Sequence, residues 1–142
     1  MKRALLLTAS LATLLVACAE PSEEASVDPT ESVWSLESGT VNDEEIPIVE
    51  DHPITLEFVG DGQVAGTGGC NNYFGGYAIN GTEITFTGMG GTLMACEPVE
   101  AMDAEGMYLA ALESVDQFSA SEDSLTLTGE GVELNFVVDN AS

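Results

Sequence analysis

The feature that most limits the possible folds is a series of short alternating segments separated by tight-turn sequences. Asp61-Gly62 follows the alternating segment at residues 54–59, and Asn80-Gly81 separates two further segments. Gly129-Glu130-Gly131 separates the last two. Asp-Gly and Asn-Gly are preferred in two-residue hairpin loops because these residues accept positive φ angles. The sequence therefore predicts a sheet built from antiparallel hairpins.

Each predicted strand has one apolar face, because side chains alternate across a strand with a period of two. The first strand carries Trp34 and Leu36, and the others cover residues 54–59, 63–67, 73–79, 83–87, 124–128 and 132–138. The side chains expected in the core of the domain are Trp34, Leu56, Phe58, Phe86, Leu109, Leu112 and Phe136.

One stretch, residues 98–114, has helical periodicity instead. Pro98 suits a first-turn position, and the apolar residues at helical spacing are Val99, Met102, Leu109 and Leu112. Gly106 weakens a helix by about 1 kcal/mol relative to alanine, and we expect it to permit close approach to the sheet. The pattern predicts a single small α+β domain, an antiparallel barrel-like or strongly curved sheet with one helix.

The N-terminus has the organisation of a secretion signal. Lys2 and Arg3 precede an apolar run at residues 4–16 that is too short to span a bilayer. Leu15-Val16-Ala17-Cys18 resembles the bacterial lipobox, in which the cysteine is lipidated and becomes the first residue of the mature chain. We therefore expect residues 1–17 to be removed and Cys18 to anchor the protein in the membrane. The alternative is an ordinary signal peptide with Cys18 incidental.

Residues 18–32 read as the lipidated cysteine followed by an acidic, flexible tether, because they contain too few apolar residues to fold. The folded domain is expected over residues 33–138, with a short C-terminal tail at residues 139–142. Ala19 follows the cysteine, and in a Gram-negative host the resemblance to lipoproteins implies sorting to the outer membrane. We expect a lipid-anchored protein of the cell envelope facing the periplasm.

Charge excludes several functions. The chain has 25 acidic residues, and its two basic residues, Lys2 and Arg3, both lie in the predicted signal. Binding of nucleic acid needs cations that displace phosphate counterions, so no nucleic-acid partner is expected. The lone histidine, His52, leaves no set of nucleophile, base and orienting group. We expect no enzymatic activity, no cofactor, no metal ligands and a monomer.

The glycine-rich sequence Gly66-Thr67-Gly68-Gly69-Cys70 is not a phosphate-binding loop. It lacks the lysine of such loops, and Asn71-Asn72-Tyr73-Phe74 follows it where a helix would be needed. The glycines are better explained by tight turns and bulges at a corner of the sheet. Asn71 is expected to be a turn residue that bonds to nearby backbone.

The acidic surface has two explanations. Adaptation to a saline exterior is favoured over divalent-cation binding, since clusters such as Asp43-Glu44-Glu45 do not have the spacing of a calcium loop. We expect the melting temperature to rise clearly between low salt and near-molar NaCl, because salt screens the repulsion between uncompensated carboxylates. A melting temperature that ignores salt would contradict this explanation. At fixed high ionic strength, only a specific calcium site would still raise the melting temperature.

Cys70 and Cys96 remain after Cys18 is assigned to the lipid anchor. An even pair of cysteines in an exported chain favours a disulfide, because the compartment is oxidising. In the chain-entropy model such a loop contributes roughly 3.5 kcal/mol. Free structural thiols, or a metal or redox pair, are the alternatives.

Several short motifs together resemble one family. They are Trp34-x-Leu36, Gly69-Cys70-Asn71-x-Tyr73, Gly76-Tyr77, Thr92-x-Met94-Ala95-Cys96, and Tyr108-Leu109 with Leu112. The combination resembles the META domain, or HslJ-like family, over residues 33–138. The resemblance implies a small envelope or secreted domain, often lipid-anchored, associated with the heat-shock response and in one branch with novobiocin resistance. A family function that needs a cationic contact is not supported here, because the mature chain has no basic residue.

Two functional hypotheses follow. The first is a non-enzymatic, lipid-anchored META domain protein that acts in envelope stress tolerance through contacts with an envelope protein partner. The second is a binding module for a small ligand or a divalent cation, at one end of the sheet or on its acidic surface. Tyr73 and Tyr77 would line the ligand groove, although packing in the core or at its rim is the favoured role of both. A sheltered cavity would favour the second hypothesis, and a filled core the first.

Overall fold

The computed structural model describes residues 27–140. The predicted signal peptide, Cys18 and most of the predicted tether lie outside the described residues. The elements in chain order are β1 (Val33–Val41), β2 (Glu44–Glu45), β3 (Thr55–Gly60), β4 (Gln63–Thr67), β5 (Asn72–Asn80), β6 (Glu83–Gly91), α1 (Val99–Ser114), β7 (Val115–Ala120), β8 (Ser124–Gly129) and β9 (Val132–Val138). No helix within residues 27–140 has the length and apolar character needed to cross a bilayer.

The sheet closes into an antiparallel barrel. Each strand from β3 to β8 pairs with the next, and β1 pairs with both β3 and β9. Trp34 lies opposite Val138 where the first and last strands meet, and the short β2 pairs with the far end of β1. The prediction of an α+β domain with a barrel-like sheet and one helix is confirmed.

Two of the predicted turns show how local sequence sets the hairpins. Asp61 and Gly62 both have positive φ, 50° and 72°, and connect β3 to β4 as predicted. The next turn is displaced by one residue from the expected position. Asn80 is still paired, opposite Glu83, so the two-residue loop consists of Gly81 and Thr82. Gly81 has a φ of 65°, which a glycine at the first loop position adopts without strain.

Packed side chains fill the barrel interior. Trp34, Tyr108 and Phe136 are among the largest fully buried side chains, and Tyr108 stacks edge-on against both Tyr73 and Phe136. All of the predicted core residues are buried except Leu109, which is half-buried. The interior of the barrel is therefore occupied by packed apolar and aromatic side chains.

Helix α1 packs through a face that includes the predicted Leu109 and Leu112 but not the predicted Val99 and Met102. Its buried side chains are Ala101, Ala104, Tyr108, Ala111 and Leu112, whereas Val99 and Met102 are 58% and 41% exposed. Small alanines let the helix lie close to the sheet, so the larger Val99 and Met102 are left outside. The expectation for Gly106 was wrong as well. Gly106 is exposed, and a Cβ added to it would meet nothing within 4 Å.

The last residues of the predicted tether belong to the folded domain. Pro29–Glu31 form a single 3-10 turn, which Asp28 caps by accepting a hydrogen bond from the backbone N–H of Thr30 at 2.9 Å. Pro29 is buried, and its carbonyl accepts a hydrogen bond from Trp34 Nε1 at 2.8 Å. The chain therefore enters the barrel through a packed segment that begins before β1.

Candidate functional site

The motif segments converge on one end of the barrel. The β4–β5 connection, the end of β6 and the first turns of α1 meet there. Cys70 and Cys96 form a disulfide with their Cα atoms 5.7 Å apart. We call this region the disulfide corner; it comprises Gly68, Gly69, Cys70, Asn71, Thr92, Met94, Cys96 and Glu105.

Asn71 is the buried polar centre of the disulfide corner. Its Oδ1 accepts hydrogen bonds from the Met94 backbone N–H at 2.7 Å and from the Thr92 hydroxyl at 3.0 Å. Its Nδ2 donates to the Met94 carbonyl at 3.2 Å and to Glu105 Oε1 at 2.8 Å. The Asn71 backbone carbonyl accepts a hydrogen bond from the Gly68 N–H at 2.8 Å, as a turn residue would, but these side-chain partners are more than 20 residues away in the chain and were not expected. Asn71 joins three separate segments.

Glu105 links α1 to the disulfide corner through hydrogen bonds, and it was not predicted from the sequence. Its carboxylate accepts hydrogen bonds from the backbone N–H groups of Cys70 and Asn71. A Cβ on Gly68 would lie 2.8 Å from Glu105 Oε2, so a larger residue at this position would force the carboxylate to move. Glu105 lies on the helix face that carries Ala101, Tyr108 and Leu112, and a carboxylate on a buried face is the signal that would have identified it.

His52 also contacts the disulfide corner. Its Nδ1 lies 2.9 Å from the carbonyl oxygen of Gly69, so Nδ1 carries the proton and donates. Gly69 itself has a φ of 105°, a conformation reserved for glycine. The only histidine of the chain thus fixes the loop before β3 to the glycine-rich turn.

Tyr73 and Tyr108 form a hydrogen-bonded pair inside the barrel. Tyr73 donates to the Thr55 carbonyl at 2.6 Å, and its oxygen lies 2.8 Å from the Tyr108 hydroxyl. Because Tyr73 uses its proton on Thr55, Tyr108 is the donor in the pair. Burial raises the pKa of both phenols above the usual 10.0, for Tyr108 by a wide margin. Both tyrosines therefore remain neutral hydrogen-bonding groups.

This pair predicts a loss of stability in alkali. Near neutral pH both phenols are protonated in the folded and the unfolded chain, so their ionisation does not lower the free energy of unfolding there. Above pH 10 the unfolded phenols ionise while the buried ones do not, and the free energy of unfolding falls by about 1.4 kcal/mol per pH unit for each tyrosine. Urea unfolding between pH 9 and about 11.5 measures the slope. Tyr108→Phe removes one of the two groups and should roughly halve this part of the slope; an unchanged slope would contradict the assignment.

The two tyrosines predicted for a ligand groove do not line one together. Tyr73 is only 2% exposed. A bulge between Phe74 and Gly76 changes the register of β5 before Tyr77. Tyr77 packs edge-on against Phe58 and borders a surface groove of about 650 Å³ with Pro29, Ile79 and Phe118 among its other residues. The groove prediction therefore fails for Tyr73, and Tyr77 alone lies at a surface depression.

The disulfide corner displays apolar side chains on its outer surface. Leu93 is 98% exposed and Met94 is 64% exposed, although the Met94 backbone is held by Asn71. A groove of about 370 Å³, which we call the disulfide groove, lies between this loop and α1. Its lining residues are Asn71, Leu93, Met94, Ala95, Met102, Glu105, Gly106 and Leu109. The part-buried hydrogen bonds of Asn71 thus hold the backbone of a loop whose apolar side chains are exposed.

The acidic residues do not assemble into a metal centre in the part of the chain that the structure describes. Within residues 27–140, no group of three or more histidine, cysteine, aspartate or glutamate side chains is placed to hold a metal ion. Both oxygens of Glu105 are instead used by N–H donors of the corner.

Comparison with protein families gives one match. The model of the META domain family matches residues 27–141, which is most of the chain. The match begins at the packed segment before β1 and extends beyond the end of β9.

Solved structures share the fold. The NMR structure of a protein from Burkholderia xenovorans is 28% identical, with a TM-score of 0.67, and the alignment covers 78% of this chain and 83% of that one. The crystal structure of a DUF4847 family protein from Bacteroides vulgatus ATCC 8482 is 12% identical, with a TM-score of 0.58, covering 80% of this chain and 96% of that one. The second likeness concerns the fold alone. A search of curated proteins gave no match.

Proposed function

Since this chain belongs to the META domain family, we propose that it is a non-enzymatic, lipid-anchored protein of the cell envelope that acts by binding a partner. The observation that carries the proposal is the disulfide corner. There the polar motif residues bond to one another and support exposed apolar side chains. Such a site is suited to contact rather than to chemistry.

The hydrogen bonds of the corner support a non-catalytic role. Asn71 and Glu105 have the most buried polar side chains of the corner. Both terminal polar atoms of each side chain already have hydrogen-bond partners. His52 uses Nδ1 on a backbone carbonyl. A catalytic group must be available to a substrate, whereas these groups maintain the shape of the protein.

The sequence before the domain supports anchoring. The lipobox-like Leu15-Val16-Ala17-Cys18 places a lipidated cysteine only nine positions before Val27, where the described chain begins. Two or more acyl chains give stable membrane attachment, and a short tether would hold the barrel close to the bilayer surface.

Fractionation with intact-mass analysis tests the anchoring. We expect the full-length protein in the membrane fraction, with residues 1–17 removed and an acyl-glyceryl adduct on Cys18. Cys18→Ser is the matched control and should leave the domain folded but release it from the membrane. An unlipidated chain that retains its leader would contradict the proposal.

Capture of the native protein from its own envelope tests the binding role. A reproducible partner, identified by mass spectrometry and lost on Met94→Ser with Leu93→Ser, is the expected result. These two side chains are exposed, so their replacement should leave the melting temperature nearly unchanged. The absence of any reproducible partner would contradict a role through contacts.

A role in envelope stress is the remaining part of the proposal, and it rests on the family resemblance. Deletion of the gene should reduce survival after heat or envelope stress, and the wild-type chain should restore it. The Met94→Ser, Leu93→Ser chain should fail to restore survival if the exposed surface is what acts. Equal survival of the deletion strain under both stresses would remove this part of the proposal.

A further inference from the structure

Gly106 occupies a helix position that the fold itself does not need to be glycine. Glycine inside a helix costs about 1 kcal/mol relative to alanine. A Cβ at Gly106 would have open space around it, so no close contact within the described chain requires its absence. The missing side chain instead leaves a low point on the outer surface of α1.

Two surface depressions of different character meet at this low point, and both are lined in part by Met102 and Gly106. On one side lies the disulfide groove, with Leu93, Met94 and Leu109. On the other side lies a second depression of about 490 Å³, which we call the acidic trough. Its lining residues are Glu44, Glu45, Pro47, Met102, Asp103, Gly106 and Met107. An apolar surface and an acidic surface are thus joined across one helix.

We propose that this surface binds a cationic amphipathic segment of a partner protein, which crosses α1 at Gly106. The apolar side chains of the segment lie in the disulfide groove, and its lysine or arginine side chains lie over the acidic trough. The inference rests on the proposed binding function and names the chemistry of the partner. Methionine-lined surfaces adapt to such segments because methionine side chains are flexible and polarisable.

Charge decides between the available occupants. Residues 27–140 contain no lysine or arginine, so Glu44, Glu45 and Asp103 have no such side chain within the described domain to pair with. A second copy would place carboxylates against carboxylates, and a membrane rich in anionic lipid would be repelled in the same way. A basic segment supplies the missing charge and covers the exposed apolar groups together.

A synthetic probe tests the proposal directly. It is a fluorescent peptide of leucine and lysine, about 18 residues or roughly five helical turns long, with leucines spaced for one helix face. Anisotropy with the full-length protein at near-physiological salt should show saturable binding. A peptide of the same composition in scrambled order controls for simple attraction to an acidic protein, and should bind at least about tenfold more weakly because it cannot fill the apolar groove.

Gly106→Gln is the central variant. Glutamine is a better helix former than glycine and has open space here, so the melting temperature should rise, while the added side chain obstructs the low point. We expect about a tenfold loss of peptide affinity in a more stable protein. Unfolding then cannot explain the loss. Unchanged affinity in Gly106→Gln would overturn the proposed position.

A matched pair of charge variants tests the trough. Glu44→Gln with Glu45→Gln should weaken binding by about threefold to tenfold. Glu122→Gln with Asp123→Asn removes the same charge from the β7–β8 turn at the opposite end of the barrel, and should change affinity by less than about twofold. Equal losses in the two pairs, or equal binding of the scrambled peptide, would show attraction to total charge and overturn the proposal.

The same variants also test the two other possible occupants of this surface, a second copy of the chain and lipid. Concentration-dependent self-association, or binding to phosphatidylcholine–phosphatidylglycerol vesicles, that Gly106→Gln abolishes would assign the surface to a second copy or to lipid and overturn the proposal. The peptide assay is independent of anchoring and of envelope capture. If the peptide fails to bind while an envelope partner is captured, this inference is wrong and the proposed function stands.

Discussion

Replacing Asn71 with alanine is expected to lower the free energy of unfolding by about 3 kcal/mol, one of the two largest effects we predict. The substitution removes the acceptor for the Met94 N–H and the Thr92 hydroxyl, and the donor to the Glu105 carboxylate. Loss of a hydrogen bond to a charged carboxylate in a part-buried site destabilises the fold more than loss of one to a neutral group does. Urea unfolding measures the change, and the melting temperature should fall by roughly 10–20 °C.

Asn72 provides the control for Asn71. It is the next residue, it is exposed, and it has no side-chain hydrogen bond to the corner, so Asn72→Ala should change stability by less than about 0.5 kcal/mol. Asn71→Asp is a second, nearly isosteric test. It places a carboxylate against Glu105 and should destabilise the fold at neutral pH, with partial recovery as the pH falls and the carboxylates become protonated. A similar small effect for Asn71→Ala and Asn72→Ala would show that the network contributes little.

Removal of the disulfide is expected to have an effect of similar size. Cys70 and Cys96 are 26 residues apart, and the chain-entropy model gives roughly 3.5 kcal/mol for a loop of this length. Cys70→Ser with Cys96→Ser should therefore lower the free energy of unfolding by about that amount. The loss should be seen equally in urea and in thermal unfolding.

Reduction of the wild-type protein offers an independent check. A strong thiol reductant should lower the stability of the wild type to that of the double-serine variant, and should leave the variant unchanged. The double variant combined with Asn71→Ala should lose less than the sum of the two effects, since both act on the segment that carries Met94. A double-serine variant as stable as the wild type would show that the cross-link does not stabilise the folded state.

The hairpins could be predicted because their determinants are local. Asp61 and Gly62 select a two-residue loop whatever the rest of the chain does, and β4 and β9 were predicted with the bounds that they have. β7 was missed because the helix passes directly from Ser114 into the strand, without a turn residue between them. Only Val115 of β7 is fully buried, so its apolar pattern is weak as well.

The packed face of α1 was harder to predict, because its best contacts are made by small residues. Apolar size favours Val99 and Met102, yet Ala101, Ala104 and Ala111 permit the closest approach to the barrel. The periodicity of apolar residues does not indicate how closely a helix can approach the sheet. Met102 is exposed and lines both the disulfide groove and the acidic trough, a role that a pattern of core residues does not predict.

The disulfide corner could be predicted only in part. The cysteine pair and the neighbouring glycines pointed to this region, but the contacts of Asn71 join segments more than 20 residues apart. Local rules assign an asparagine beside a glycine-rich stretch to a turn, and nothing near residue 71 in the sequence identifies Glu105 as its partner. Long-range polar networks of this kind depend on the tertiary fold, which strand and helix patterns define only coarsely.

Closure of the barrel between β1 and β9 has a consequence for synthesis. Trp34 pairs with Leu56 of β3 on one side, but its partner on the other side, Val138 of β9, is synthesised only after all the other strands of the barrel. Pairing of distant segments is slow compared with local hairpin formation. The first strand made is thus the last to be completed, and the barrel of a growing chain stays open until β9 has been synthesised.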